Sequence, residues 1–345
     1  MSNQKLFNVA VVGATGAVGE QIIRLLEERN FPIQELKLLS SARSAGVKLT
    51  FRGQPVIVQE ATPNSFNGVE IALFSAGGDV SKALIPHAVE AGAICIDNTS
   101  AYRMDPDTPL VVPEVNVDKI NEHRGIIANP NCSTIQMVAA LKPLYDRYGI
   151  SKIIVSTYQA VSGAGAKAIN EMLRQSKEVL EGKASNPDIL PVGSLPVKHQ
   201  IAFNAIPQID KFHDNGFTNE EMKMILETKK IMGDDAIEVT ATCVRIPVVY
   251  GHSESVYVEL KEDFDIEEVK SLMASAPGIV LADNPAEQVY PLATDAAGKL
   301  ETFVGRVRRD LSNPRAVNMW IVSDNLLKGA AWNAVQIAEY IAIEQ

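Results

Sequence analysis

A chain of 345 residues has the length of about two domains. With 46% hydrophobic residues it can build sizeable cores, whereas a net charge of −10 and the lack of any basic run argue against nucleic acid or an anionic membrane as a partner. Three scattered cysteines, Cys95, Cys132 and Cys243, offer neither a disulfide framework nor paired metal ligands, so reduced thiols and no metal site are expected.

The N-terminal stretch MSNQKLFNVAVVG enters a strand pattern at once, without a charged-then-apolar leader, and no later apolar run approaches the roughly 18 residues of a membrane span. A cytoplasmic protein is expected. Residues 9–12 form a short apolar run and residues 17–29 have helical periodicity. Between them lies GATGAVG, which spans Gly13, Thr15, Gly16, Ala17, Val18 and Gly19. Glycines between a strand and a helix allow a tight turn, close approach of a pyrophosphate and close packing of helix on sheet. The spacing is G-x-x-G-x-x-G, a variant of the commoner fingerprint, so a dinucleotide site is expected from the strand-to-helix context more than from the motif.

The next strand, 36–39, runs into LLSSARSAG. An acidic residue at this place usually meets an unphosphorylated ribose, but here stand Ser40, Ser41, Arg43 and Ser44. NADP is therefore favoured over NAD. The strand at 71–74 ends in FSAGG, so Ser75, Ala76 and Gly77 are a candidate third wall of the same pocket. Two more strands, 94–96 and 126–128, complete a parallel α/β pattern.

After the last of these strands comes ANPNCSTIQ. Turn residues Asn129, Pro130 and Asn131 precede Cys132, and Ile135, Val138, Ala139 and Leu141 then recur at helical spacing. Cys132 thus sits at a strand-to-helix elbow, where unpaired N–H groups and the helix dipole favour a thiolate. Either Asn131 caps this helix or Ser133 and Gln136 form a capping box. Cys95 and Cys243 lie in apolar strand-like runs and are expected to be small buried hydrophobes.

Beyond about residue 150 the pattern changes to long alternating runs, KIIVSTYQAV and SVYVEL, with helices near 164–180, 219–231 and 266–274. A second domain of α+β type is expected. SNPDILPVGSLPVKH has no period and is read as a loop or flap. An apolar last helix, 325–343, needs a sheet to pack on, and the first domain is one candidate for it.

Taken together, GATGAVG, NPNCSTIQ, YQAVSGAG and RIPVVYGHSE occur in the order and context of one family, and the chain resembles aspartate-β-semialdehyde dehydrogenase in its bacterial form along nearly its whole length. The resemblance implies a Rossmann-type dinucleotide-binding domain, 1–131 and 322–345, and an α+β catalytic and dimerisation domain, 132–321, of the glyceraldehyde-3-phosphate-dehydrogenase-like kind. It implies reversible NADPH-dependent reductive dephosphorylation of L-aspartyl 4-phosphate, in the biosynthesis of lysine and diaminopimelate, threonine, methionine and isoleucine. It also implies a homodimer, or a tetramer built from it.

An acyl phosphate is reduced most simply by first moving the acyl group to a soft nucleophile, leaving a thioester that accepts hydride. Cys132 fits that role. The resemblance assigns acid/base work to His252, which opens the SESVYVEL run at an element end, and orientation of the acyl group to Gln159. His87, His123, His199 and His213 have no comparable setting. Arg245, seven positions before His252, suits a bidentate clamp on a carboxylate.

The resemblance places the phosphate on Arg103, Asn131 and Lys223, and the substrate ammonium on Glu220, one helical turn before Lys223. Adjacent Glu221 is expected to face solvent. Ser162, Gly163 and Gly165 form the turn beyond Gln159, where glycine permits close approach of a nicotinamide, and Asn325 joins them as a cofactor contact. Two other readings are N-acetyl-γ-glutamyl-phosphate reductase, whose blocked amine gives Glu220 no purpose, and a non-catalytic NADPH sensor, which gives the set of Cys132, Gln159, Arg245 and His252 none.

Overall fold

The computed structural model describes residues 5–344, and the reading of the first residues as free of a leader lies partly outside them. The chain falls into two compact units, one that runs to Asn131 and resumes at Gly329, and one formed by Cys132–Lys328.

In the first unit β1 (Phe7–Val12) leads through the glycine turn into α1 (Ala17–Glu28) and then β2 (Ile33–Ser40). A small ribbon of β3 (Lys48–Phe51) and β4 (Gln54–Ile57) follows, then β5 (Gln59–Glu60), β6 (Ile71–Phe74), α2 (Gly78–Glu90), β7 (Ile94–Asp97), the short α3 (Pro113–Asn116) and β8 (Ile126–Ala128). The main sheet has the order β5-β2-β1-β6-β7-β8 with every pair parallel. Strand order reverses between β1 and β6, and ligands of such sheets bind beside the carboxyl ends at that point.

Close contact at the turn explains its glycines. A Cβ on Gly19 would lie 2.1 Å from the Gly13 carbonyl oxygen, and one on Gly13, whose φ is +88°, would lie 2.5 Å from the Ser75 oxygen. The turn therefore lies against both its own helix and the end of β6. The face of α1 that carries Ile22, Ile23, Leu25 and Leu26 is buried, as its periodicity requires. The C-terminal helix, Trp332–Glu344, joins this unit and buries Ala334, Val335, Ile337, Ala338 and Ile341, with an Arg29–Glu339 ion pair at 2.8 Å tying it to the end of α1.

That helix starts later than its hydrophobic pattern predicts. Asp324 Oδ1 accepts the N–H groups of Leu326 and Leu327, and a π-turn spans Leu327–Ala331 before regular helix begins. The domain boundary moves with it. Residue 322 was expected to open the return to the first domain, but it lies inside the last strand of the second unit, which pairs through Ser323.

The second unit comprises α4 (Cys132–Tyr148), β9 (Ile150–Gln159), α5 (Ala166–Leu180), α6 (Asn219–Met232), β10 (Glu238–Arg245), β11 (His252–Leu260), α7 (Ile266–Ser275), β12 (Ile279–Leu281), α8 (Ala293–Ala296), β13 (Thr302–Arg309) and β14 (Ala316–Ser323). Its sheet is mixed, in the order β10-β9-β11-β14-β13-β12. Alternation sorts the faces: on β11 His252, Glu254, Val256 and Val258 are buried, while Ser255 is exposed and Tyr257 half-buried. Ile154, Tyr158, Ser255, Tyr257 and Trp320 leave the opposite face open, with the Tyr158 and Trp320 rings 5.5 Å apart. The period-free segment at 185–199 is a loop, pinned where Glu171 accepts the N–H groups of Asp188, Ile189 and Leu190.

Candidate active site

In the first unit a cavity of about 740 Å³ opens at the strand-order reversal, lined among others by Gly13, Thr15, Gly16, Ser40, Ser41, Arg43, Ser44, Ser75 and Ala76. These are most of the residues singled out in the sequence. Ala17, Val18, Gly19 and Gly77 belong to the same turns but do not line the cavity, and Gly19 acts by letting α1 close on Gly13. Gly16 caps α1 without a side-chain acceptor, which leaves the N–H groups of the first turn for a ligand. Thr15 Oγ1 lies 2.9 Å from Ser40 Oγ, so hydroxyls ring the end of β2. A cradle this close to backbone, with N–H donors, hydroxyls and a guanidinium, fits a dinucleotide.

Two carboxylates in the lining escaped the sequence reading. Glu60 at the end of β5 pairs in register with Ser40, and Asp79 lies in the first turn of α2. Neither follows a strand-end signature, and the pairing of β5 with β2 across a hairpin gave no local sign.

The second unit collects the chemistry. α4 begins at Cys132, so Asn131 immediately precedes the helix, and Cys132 is partly accessible while Cys95 and Cys243 are buried. Burial pushes the thiol of Cys95 up to about 12 and that of Cys243 up as well, which leaves both inert as expected. Gln136 does not serve a capping box through its amide. That amide donates to the His252 carbonyl at 3.2 Å and accepts from Ser323 Oγ at 2.9 Å, which ties the first turn of α4 to β11 and β14.

Gln159, at the end of β9, donates through Nε2 to Glu220 Oε1 and to Thr157 Oγ1, both at 3.3 Å. Lys223 Nζ lies 3.2 Å from Glu220 Oε2 and 3.6 Å from Asp210, so the helical-turn spacing does put Glu220 and Lys223 on one face. Glu221 departs from expectation. It is buried, completes a capping box with Thr218 and accepts the Cys243 N–H at 2.9 Å, so its carboxylate fixes the start of α6 onto β10 instead of facing solvent.

Arg245 and His252 are held by the main chain of one residue, Ala160. The Ala160 carbonyl accepts from Arg245 Nη1 at 2.7 Å, and the Ala160 N–H donates to His252 Nδ1 at 3.0 Å. A ring nitrogen that accepts is bare, so the network assigns the proton of the neutral ring to Nε2. Burial first, and then the Arg245 charge, push His252 down to about 3. The ring is neutral at physiological pH. Its Nε2 is buried without a hydrogen-bond partner among the described residues, which marks it as a group that a substrate can satisfy.

Burial also lowers the affinity of Arg245 for its proton, opposed by the charges of Glu220 and of a Cys132 thiolate. Gly163 closes this corner: a Cβ there would lie 2.9 Å from Arg245 Nη1 and 3.3 Å from His252 Nε2. Ser162 Oγ and the Gly251 N–H both bond the Asn325 amide, so in this structure Asn325 organises the loops around Gly163. The sequence did not reveal Ala160 or Asp210, because a peptide group carries no residue-type signal and an isolated aspartate no spacing.

Arg103 and Asn131 belong to the first unit and are both buried. Arg103 donates through Nε to the Asn129 carbonyl at 2.9 Å and through Nη2 to the Asn98 carbonyl at 2.8 Å. Among the described residues no cluster of three metal-ligating side chains occurs, and no helix is long and apolar enough to cross a membrane.

The model of the semialdehyde dehydrogenase NAD binding domain matches residues 8–123, and that of the semialdehyde dehydrogenase dimerisation domain matches residues 141–328. Aspartate-semialdehyde dehydrogenase of Bacillus subtilis is 62% identical over 96% of each chain, and that of Aquifex aeolicus 53% identical over 98% of each. A crystal structure of aspartate semialdehyde dehydrogenase II from Vibrio cholerae complexed with ASA superposes with a TM-score of 0.93 at 50% identity over 99% of each chain. An aspartate semialdehyde dehydrogenase structure with NADP from Candida albicans has a TM-score of 0.75 at 26% identity over 98% of each chain.

Proposed function

The chain belongs to the aspartate-semialdehyde dehydrogenases, whose reaction is the reductive dephosphorylation of aspartyl phosphate in amino-acid biosynthesis, and we propose that it runs through a thioester on Cys132 with NADP as its cofactor. The observation that carries this reading is the convergence, within one unit, of Gln159, Glu220, Lys223, Arg245 and His252 on the start of the helix that Cys132 opens.

Cys132 attacks the acyl carbon, the C–S bond forms, the C–O bond to phosphate breaks and phosphate leaves with the bonding pair. NADPH, when bound, supplies hydride to the thioester carbon. The His252 Nε2–H donates to the oxyanion that develops there, and collapse returns the electron pair to sulfur and frees the aldehyde. Its position in a buried, water-poor corner makes that donor stronger than it would be in water. Gln159 orients the acyl group, Arg245 holds the α-carboxylate and Glu220 the ammonium, while Arg103, Asn131 and Lys223 receive phosphate. Ser162 and Gly163 line the nicotinamide approach, with Asn325 behind them.

The reading as N-acetyl-γ-glutamyl-phosphate reductase gives way to the identity with aspartate-semialdehyde dehydrogenases along nearly the whole chain, and the buried Glu220 carboxylate is the group proposed for a free ammonium. The hydroxyls at the end of β2 and Arg43 support a 2′-phosphate, as does the NADP in the Candida albicans relative. The open apolar face of the mixed sheet, with Ile154, Tyr158 and Trp320, supports a homodimer through the dimerisation domain. A cytoplasmic setting accords with buried, reduced Cys95 and Cys243.

The deciding assay follows NADPH formation from L-aspartate 4-semialdehyde with phosphate present and omitted. Phosphate-dependent formation is expected, and turnover without phosphate contradicts the acyl-phosphate route. Substituting Arg43→Ala should raise the KM for NADP about tenfold to a hundredfold, the worth of a charge-assisted hydrogen bond, and leave that for NAD nearly unchanged. Equal effects on both cofactors would remove Arg43 from the 2′-phosphate.

A further inference from the structure

The C-terminal helix buries one polar side chain among apolar ones, and the proposed reaction leaves it unused. Asn333 is fully buried, and its Nδ2 donates to the Val111 carbonyl at 2.9 Å and to Asn129 Oδ1 at 2.6 Å. Asn129 Nδ2 in turn donates to Asn98 Oδ1 at 2.7 Å. Asn98 is anchored to the end of β6, where its main-chain N–H and its Nδ2 both donate to the Phe74 carbonyl, at 3.0 and 3.1 Å.

Three asparagines from three places in the sequence thus form a chain with a single polarity. Each amide spends its N–H on the oxygen of the next, so reversing one sets N–H against N–H or oxygen against oxygen. The chain ends on the two residues whose main-chain carbonyls hold Arg103, through Nε and Nη2. A guanidinium is planar and rigid, so two fixed donors fix the direction of the whole group.

We infer that Asn333, Asn129 and Asn98 form a side-chain relay that sets the aim of Arg103, which makes Asn333 a positioning residue for the anion that Arg103 receives. The inference rests on the proposed phosphate role of Arg103. It explains why a helix from the far end of the sequence places an amide in an otherwise apolar face. It also explains why Asn129, three residues before the nucleophile, spends both ends of its amide on other asparagines. Misplacing a binding group by about 1 Å costs up to about a hundredfold, so the effect of the relay is large enough to read in steady-state kinetics.

The test is a double-mutant cycle in the direction of semialdehyde oxidation, with phosphate varied. Asn333→Asp replaces the donor by a second acceptor facing two oxygens, and should raise the KM for phosphate about tenfold with little change in the KM for NADP. In an Arg103→Ala background the same substitution should add nothing further. An unchanged KM for phosphate, or an equal rise in both backgrounds, overturns the relay. If Arg103→Ala by itself leaves the KM for phosphate unmoved, the anion role of Arg103 is what fails. Should Asn333→Asp not fold, as judged by circular dichroism, Asn98→Ala at the half-buried end of the relay removes the Asn129 acceptor, spares the carbonyl that holds Arg103, and carries the same expectation.

Discussion

Replacing Cys132 by alanine should lower turnover by at least about 10⁴-fold, since without a nucleophile no thioester forms and the residual rate comes from binding alone. NADP affinity should hold within about twofold, because the cavity that fits the dinucleotide is lined by residues between Val12 and Leu84 and owes nothing to α4. Thermal stability should hold as well, since Cys132 is partly accessible and alanine is a strong helix former. A second measurement separates nucleophile from bystander. The buried thiols of Cys95 and Cys243 are pushed up by burial, so a thiol reagent at neutral pH should label one site per chain, and aspartate semialdehyde should protect it. Turnover that survives in Cys132→Ala, or labelling that continues at a second site, would overturn the assignment.

Features fixed by local sterics were legible in the sequence. The glycine turn is one, because Gly13 and Gly19 leave no room for a Cβ and only one residue type meets that demand. The elbow at Cys132 is another, because turn residues followed by helical periodicity define a helix start. What escaped depends on tertiary choice. Spacing puts Glu220 and Lys223 on one face but cannot tell that the neighbouring Glu221 is captured by Thr218 and by the Cys243 N–H. The domain boundary moved because the pattern of β14 and that of the last helix run together, and only strand pairing through Ser323 separates them. The main chain of Ala160 was invisible for a simpler reason. Its function lies in atoms that every residue carries, and only the fold brings Arg245 and His252 to its two ends.

The two jobs of His252 can be separated by two amides. Asparagine can put its Oδ1 near the position of Nδ1 and keep the Ala160 N–H satisfied, but it loses the Nε2–H; glutamine can carry an N–H toward the Nε2 position but leaves the Ala160 donor unpaired. His252→Asn should therefore lower kcat by roughly 10²- to 10⁴-fold with a small change in the KM for semialdehyde, the range expected for one positioned donor. His252→Gln should keep more of the rate than the asparagine variant but lose stability, since an unsatisfied buried N–H costs about 1–3 kcal/mol. Near-normal turnover in the asparagine variant would take His252 out of the reaction. Stability against pH gives an independent reading. In the folded chain His252 is pushed down to about 3, whereas in the unfolded chain it titrates near 6.5, so between these values the unfolded state binds the extra proton. The native state of the parent chain must then lose stability as pH falls from about 6.5 toward 3, and gains nothing from this group above 6.5. Both variants lack the group. Their melting temperatures should drop less than that of the parent between about pH 7 and pH 5, and parallel curves would show that the imidazole does not pass from neutral to charged on unfolding.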